Sequence, residues 1–171
     1  MSFKSVLQGK WLGHPLHPAI VHLPTGLWPA ALVFDLMSRT GGGNVVALHT
    51  ATHCILLGLL AALLAIPTGL ADFAEIKRGK PAWKLAIVHL SLNAIVFVLF
   101  GINLAMRINA PEARAVTMPQ LALTIVAVAL LFVSGYIGGR MVFDRGVSVA
   151  RMSKQKWRRI AEQGKANVPQ E

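Results

Sequence analysis

Four long apolar segments, separated by short polar connections, dominate the sequence. They cover approximately residues 20–37, 45–71, 85–106 and 121–142. A helix needs about 17–25 mainly apolar residues to cross the hydrocarbon core of a bilayer, and each segment has that length. Because the connections are short, consecutive helices are expected to run antiparallel. The pattern predicts an all-α integral membrane protein folded as an up-down-up-down four-helix bundle.

The polar stretches divide the chain into three parts. Residues 1–18 are predicted to form an interfacial lead-in with a His-Pro motif, and residues 19–143 form the membrane domain. Residues 144–171 are predicted to be a basic cytoplasmic tail, with a short interfacial helix over residues 152–163. Pro24 and Pro29 are expected to kink the first span, because proline has no backbone N–H to donate.

The formal net charge of +10 follows the predicted topology. All but three of the 17 Lys and Arg residues fall on the side that holds both termini and the central connection. The opposite connections hold only Arg39, Arg107 and Arg114. The positive-inside rule then predicts a bacterial inner-membrane protein with both termini in the cytoplasm. The charge therefore indicates topology and contact with anionic lipid, and no nucleic-acid partner is predicted.

Histidines gather at the start of the first span, where residues 13–24 read GHPLHPAIVHLP. Imidazole rings are costly to expose to lipid, so we expect them to face the protein interior or a ligand. Helices one and three run in the same direction, which puts His22 and His89 at the same depth on diagonally opposed helices. Two neutral imidazoles facing each other across an apolar slot are what a bis-histidine haem requires.

Further polar side chains are predicted at the same end of the bundle. Asn93 shares a helix face with His89 through their i,i+4 spacing. Asp72, at the end of the second helix, is a candidate for orienting a ligand ring. Arg140 is the stronger candidate partner for haem propionates, with Lys84 the weaker.

The remaining histidines receive other assignments. His14 and His17 are placed at the water interface, in cofactor-supporting or proton-handling roles, and His17 would reach inward if the kink at Pro18 is sharp. His49 and His53 form a His-x-x-x-His pair at the opposite end of the membrane. This pair is interpreted as polar side chains that hydrogen-bond across that mouth, with a second redox or metal centre left open.

Two other interpretations of the histidines stay open. His22 and His89 would simply lock the bundle if they hydrogen-bond to Asp72 and Asn93, since interhelical polar pairs stabilise membrane proteins. A Zn²⁺ or Cu site would use four histidines: His14, His17, His22 and His89. The sequence contains no catalytic triad, phosphate loop or paired carboxylates, so an electron carrier is predicted more readily than an enzyme.

The ordered motifs resemble a known family. The resemblance lies in residues 14–27 (HPLHPAIVHLPTGL), Asp35, residues 68–73 (TGLADF), His89 with Asn93, residues 138–143 (GGRMVF) and residues 146–149 (GVSV). Together they are similar to bacterial predicted inner-membrane proteins grouped as domain of unknown function 2231, over about residues 13–150. Some members resemble partners or fusions of Rieske-type iron–sulfur domains. The resemblance therefore implies a four-helix inner-membrane protein in electron transfer through a b-type haem.

The sequence thus predicts a cytochrome-b-like electron carrier with one haem b held by His22 and His89 near the cytoplasmic face. Its partners would be the lipid bilayer and a separate Rieske-type or other redox protein, or a quinone. The alternative is a non-redox membrane protein, either binding a divalent metal (Zn or Cu) or serving as a structural subunit of a membrane complex.

Overall fold

A computed structural model of the protein describes residues 2–147, so the predicted interfacial helix over residues 152–163 lies outside the described residues. The described chain contains the helices α1 (Phe3–Leu7), α2 (Leu16–Ile20), α3 (His22–Ser38), α4 (Val45–Phe73), α5 (Pro81–Ile108) and α6 (Met118–Phe143). Four segments are long and apolar enough to cross a membrane: Leu16–Ser38, which combines α2 and α3, and the helices α4, α5 and α6. The predicted all-α, four-span fold is confirmed.

Local signals fix the ends of the long helices. Asn44 caps α4, because its side-chain oxygen accepts a hydrogen bond of 3.0 Å from the backbone N–H of Ala47. Pro81 occupies the first turn of α5, where its missing N–H costs nothing. The connection between α3 and α4 uses three successive glycines at positions 41–43, all with positive φ, which side-chain-bearing residues rarely adopt.

The first span is interrupted at Val21, between α2 and α3. Pro24 provides no N–H for the carbonyl of Ile20, which explains the interruption at this point. The N–H of Thr25 still bonds to the carbonyl of Val21 at 3.1 Å, so the chain continues in nearly the same direction. The short α2, which carries His17, packs on α4.

The lead-in residues are fastened to the end of α4. The side-chain amide of Gln8 donates to the carbonyl of Ala71 at 3.2 Å, and Gln8 is buried. The ammonium group of Lys10 lies 3.1 Å from a carboxylate oxygen of Glu75. Because exposed ion pairs contribute only about 0–1 kcal/mol, the buried amide contact is the firmer of the two.

The four spans form two hairpins, α3 with α4 and α5 with α6, and contacts of α3 with α6 and α4 with α5 close the ring. The first and third spans are therefore diagonal, as predicted. Trp28 and Phe100 fill the centre of the bundle, stacked with ring centroids 4.5 Å apart and planes 16° from parallel. We call the end of the bundle with Leu16 and Pro81 the proximal end, and the end with Ser38 and Ile108 the distal end.

The two hairpins repeat one pattern of inward-facing positions. Five positions of the third span follow those of the first by 72 residues: 17 and 89, 24 and 96, 28 and 100, 31 and 103, 35 and 107. Positions of the fourth span follow those of the second by 69 residues: 51 and 120, 55 and 124, 59 and 128, 65 and 134, 69 and 138. All are buried or half-buried. The two hairpins therefore present their inward residues with the same spacing, which we call the internal repeat.

The outer surface of the bundle is apolar, as a lipid-facing surface must be. Large exposed hydrophobic side chains cover it on every span, among them Val33, Leu57, Leu64, Val98 and Phe132. The protein is thus embedded in a lipid bilayer.

Candidate functional site

The proximal end brings together two half-buried histidines, His17 of α2 and His89 of α5. They occupy equivalent positions of the internal repeat, and they are close enough to interact electrostatically. Of the other equivalent pairs, Trp28 stacks on Phe100 between the hairpins. His17 and His89 likewise come one from each hairpin.

The hydrogen bonds of His17 fix which ring nitrogen carries the proton. Nδ1 lies 3.0 Å from the carbonyl oxygen of Ala65 and 3.3 Å from Oγ1 of Thr68, both on α4. The Thr68 hydroxyl already donates to the same carbonyl, at 2.7 Å. A carbonyl oxygen only accepts, so Nδ1 must be the donor. In the neutral ring this leaves Nε2 with a free lone pair.

His89 repeats this arrangement on the other hairpin. Its Nδ1 lies 2.9 Å from the carbonyl oxygen of Ser134 on α6, and Nδ1 is again the donor. Its Nε2 lies 3.1 Å from the side-chain nitrogen of Asn93, which also donates to the Ser134 hydroxyl at 2.8 Å. The predicted sharing of one face by His89 and Asn93 is confirmed. Both imidazoles therefore present Nε2 as the acceptor atom.

Each ring also packs directly on a helical glycine four residues after the carbonyl that it binds. A Cβ atom added to Gly69 would lie 2.6 Å from Cε1 of His17, and one added to Gly138 would lie 3.0 Å from Cε1 of His89. Small residues allow such close approach in membrane bundles. The repeated unit is thus a histidine from one helix, with a carbonyl and a glycine of the next helix.

We expect Gly69→Ala to displace the His17 ring and Gly138→Ala to shift the His89 ring less, since real Cβ atoms essentially never approach to 2.6 Å, whereas 3.0 Å is a tight contact that a small shift relieves. The displaced ring loses its Nδ1 hydrogen bond. Nitrogen-15 NMR of histidine-labelled protein measures this as a changed Nδ1 shift. The control is Gly135→Ala, where a Cβ meets no atom within 4 Å. An unchanged His17 spectrum in Gly69→Ala contradicts the contact.

His22 does not join this pair, and the prediction that it lies inside the bundle is wrong. Its side chain is exposed. Five residues of helix turn a side chain by about 500°, so His22 points about 140° away from His17. The inward positions of the first span are instead 17, 24, 28, 31 and 35. His17, which was predicted to reach inward only if the chain kinks sharply at Pro18, is the histidine of the first span that lies on the inward face.

The other predicted site residues lie around the pair. His14 is exposed, and its Nδ1 contacts only the neighbouring Pro15 carbonyl at 3.2 Å. Asp72 is half-buried at the end of α4 and interacts electrostatically with His17. Arg140 is exposed and its Nε bonds to Asp144 at 2.9 Å within the same turn of chain. The structure therefore brings together His17, His89, Asn93 and Asp72, while His14, His22 and Arg140 remain outside.

A four-histidine metal site is not assembled. Within residues 2–147, no group of three or more His, Cys, Asp or Glu side chains has the geometry to hold a metal ion. At the distal end, Nδ1 of His53 is 2.7 Å from the backbone carbonyl of His49, and both residues are exposed. The His-x-x-x-His pair therefore uses one ring to bond the helix backbone.

The distal end holds a buried ion pair that the sequence reasoning missed. Nη2 of Arg107 lies 2.8 and 2.7 Å from the two carboxylate oxygens of Asp35, and the side chains are 3% and 0% exposed. Thr124 donates to the same carboxylate at 2.9 Å, and Asn103 accepts from Arg107 Nε at 2.8 Å. From the sequence, Arg107 was predicted to lie in the connection after the third span. Its i,i+4 spacing from Asn103 on one face of an apolar helix is the signal that would have found it.

Comparison with known proteins gives one match. The family described as "Predicted membrane protein (DUF2231)" matches residues 13–151 of this chain. No curated protein and no solved structure matches it.

Proposed function

Because the chain belongs to the family of predicted membrane proteins DUF2231, whose description states no activity, we propose its function from the histidine pair itself. We propose a b-type haem-binding protein of electron transfer, in which His17 and His89 would hold the haem iron. One observation carries the proposal. Two equivalent imidazoles, one from each hairpin, are held by carbonyls at Nδ1 and have Nε2 as their acceptor atom.

The donor set fits haem better than a bare metal ion. Haem iron takes four nitrogens from its macrocycle and needs only two axial protein ligands. A structural zinc site needs four protein ligands and a catalytic site three. Metal-binding histidines commonly donate their other ring N–H to a carbonyl, which fixes the ring and raises the basicity of the ligand nitrogen. His17 and His89 both do so, to Ala65 and Ser134.

The neighbouring side chains have defined roles in this proposal. Asn93 would give up its contact with Nε2 of His89 and keep its bond to the Ser134 hydroxyl, which would keep its side chain in place. The carboxylate of Asp72 interacts with His17 from the end of α4. Arg140 would exchange its exposed partner Asp144 for a propionate at little cost, because exposed ion pairs contribute about 0–1 kcal/mol. The bound iron supplies reversible one-electron chemistry.

The charge distribution supports an orientation for this protein. Lys and Arg residues concentrate on the proximal side of the four spans, in the lead-in, the central connection and the residues after α6. By the positive-inside rule the proximal end faces the cytoplasm of a bacterial inner membrane. A haem held near this face would exchange electrons with a separate carrier, which is a Rieske-type or other redox protein or a quinone.

The test is the absorption spectrum of the purified full-length protein, produced with haem available, before and after reduction with dithionite. We expect a sharp reduced α-band, lost in His17→Ala and in His89→Ala. The matched control is His22→Ala, which removes an exposed imidazole five residues away and is expected to keep the band. Wild-type protein that stays colourless after reconstitution with haem refutes the proposal. A band lost in His22→Ala and kept in His17→Ala refutes the ligand assignment.

A structural role without a cofactor is the second candidate, and one observation favours it. Both rings already join two helices through hydrogen bonds to the backbone. Each such bond contributes about 0.6–2 kcal/mol in a membrane protein. Colourless wild-type protein that becomes less stable in His17→Ala and His89→Ala, but not in His22→Ala, would favour this role.

A further inference from the structure

The distal end contains a cavity of about 150 Å³, separate from the histidine pair at the other end of the bundle. It lies between α4, the end of α5, the connection after α5 and the start of α6. Apolar residues such as Leu48, Ile108 and Ala113 line most of it, and Arg107, Thr52 and His49 add polar atoms. An enclosed apolar cavity of about this volume holds one benzene-sized ring. The cavity is therefore large enough for a small, mainly apolar ring.

Arg107 offers one under-used hydrogen-bond donor to this cavity. Its Nη2 is engaged by both oxygens of Asp35, and its Nε is engaged by Asn103 at 2.8 Å. Nη1 has only a long contact of 3.4 Å to the hydroxyl of Thr52. Because Asp35 already balances the charge of the guanidinium, this donor suits a neutral carbonyl or hydroxyl oxygen better than an anion.

His49 supplies a second polar group at the rim. Its side chain is exposed, and its ring has no hydrogen-bond partner within the described part of the chain. A neutral imidazole both donates and accepts, so it accommodates a ring oxygen in its carbonyl or its hydroxyl form. His53, one turn away, does not line the cavity and has its Nδ1 bound to the His49 carbonyl.

We propose that this distal cavity binds the ring of a single-ring quinone or quinol dissolved in the membrane. One ring oxygen accepts a hydrogen bond from Nη1 of Arg107, and a second oxygen bonds to His49. The apolar wall around Leu48, Ile108 and Ala113 contacts the ring faces and substituents. The proposal concerns binding alone and does not rest on the histidine pair at the proximal end.

The test is isothermal titration of the full-length protein in lipid nanodiscs with a decyl-substituted benzoquinone. We expect saturable binding at one site per chain. Ala113→Phe or the smaller Ala113→Leu fills the cavity while leaving both members of the ion pair in place, and is expected to weaken binding about tenfold or more, which is about 1.4 kcal/mol. His49→Ala is expected to weaken binding about threefold or more, and the matched control His53→Ala to leave it within about twofold.

Thermal unfolding of each variant shows which of them keep the wild-type fold, and only those are compared. The absence of saturable binding to wild-type protein overturns the proposal. It is also overturned if both Ala113 variants bind normally, if His53→Ala weakens binding as much as His49→Ala, or if benzoate competes better than the quinone. The same titration on a His17→Ala/His89→Ala double variant separates this proposal from the haem proposal, since quinone binding is expected to persist there.

Discussion

Arg107→Met is expected to lower the free energy of unfolding by about 3–5 kcal/mol, because it leaves the carboxylate of Asp35 buried without its counter-charge. The ion pair is almost fully enclosed, with side-chain exposures of 3% and 0%. Thr124 still donates to the carboxylate, but one hydroxyl cannot replace a guanidinium. Asp35→Leu has a comparable cost, since it leaves the positive charge of Arg107 inside a membrane helix.

Two comparisons make this prediction specific to the buried pair. The double variant Asp35→Leu/Arg107→Met is expected to be more stable than either single variant, because no isolated charge remains. Arg140→Met breaks the exposed pair with Asp144 and is expected to cost about 0–1 kcal/mol. Unfolding in mixed detergent, followed by tryptophan fluorescence, measures all four proteins. Equal stability of Arg107→Met and Arg140→Met would contradict the prediction.

Gly58→Ala is expected to destabilise the bundle by about 1–3 kcal/mol through overpacking. An added Cβ would lie 2.7 Å from Cδ1 of Trp28 and nearer still to Nε1. The indole is also held by its stacking on Phe100, with 4.5 Å between ring centroids, so it cannot shift without disturbing that contact. Its N–H bond to the carbonyl of Ile55, already long at 3.4 Å, is lost when the ring shifts.

Other helical glycines supply the control for this substitution. At Gly101 and Gly135 an added Cβ meets no atom within 4 Å. There the change to alanine is expected to be neutral or stabilising by up to about 1 kcal/mol, through helix propensity alone. Combining Gly58→Ala with Trp28→Phe should recover part of the loss, because the smaller ring removes Nε1. Stability of Gly58→Ala equal to that of Gly101→Ala would show that the close contact is absent.

The candidate site was predicted in part. The choice of His89 and Asn93 followed from spacing within a single regular helix, and the structure places them together. His22 was wrongly chosen as the histidine of the first span that accompanies His89. The first span is interrupted at Val21, and the direction of a side chain on either side of Pro24 depends on how α2 packs on α4. His22 lies farther along the span than His17, but only His17 is on the inward face.

The internal repeat was not visible in the sequence because most equivalent residues differ. Of the inward pairs, the histidines at 17 and 89 and the glycines at 69 and 138 are identical. Two of the other pairs are complementary: an indole stacks on a phenyl ring, and a carboxylate pairs with a guanidinium. Residues that meet between the hairpins need to fit each other, and two like charges there would repel.

The sequence by itself determined that this protein crosses a membrane four times with antiparallel helices. Hydrophobic length and short connections are sufficient for that, since backbone polar groups in lipid must be paired within each helix. The tertiary structure alone decided that His17, and not His22, shares the inward face of the proximal end with His89, and that Arg107 pairs with Asp35. Those contacts depend on the rotation of each helix about its axis, which is set by packing against its neighbours. Spacing along the chain shows which residues share a helix face, but not which neighbouring helix that face meets.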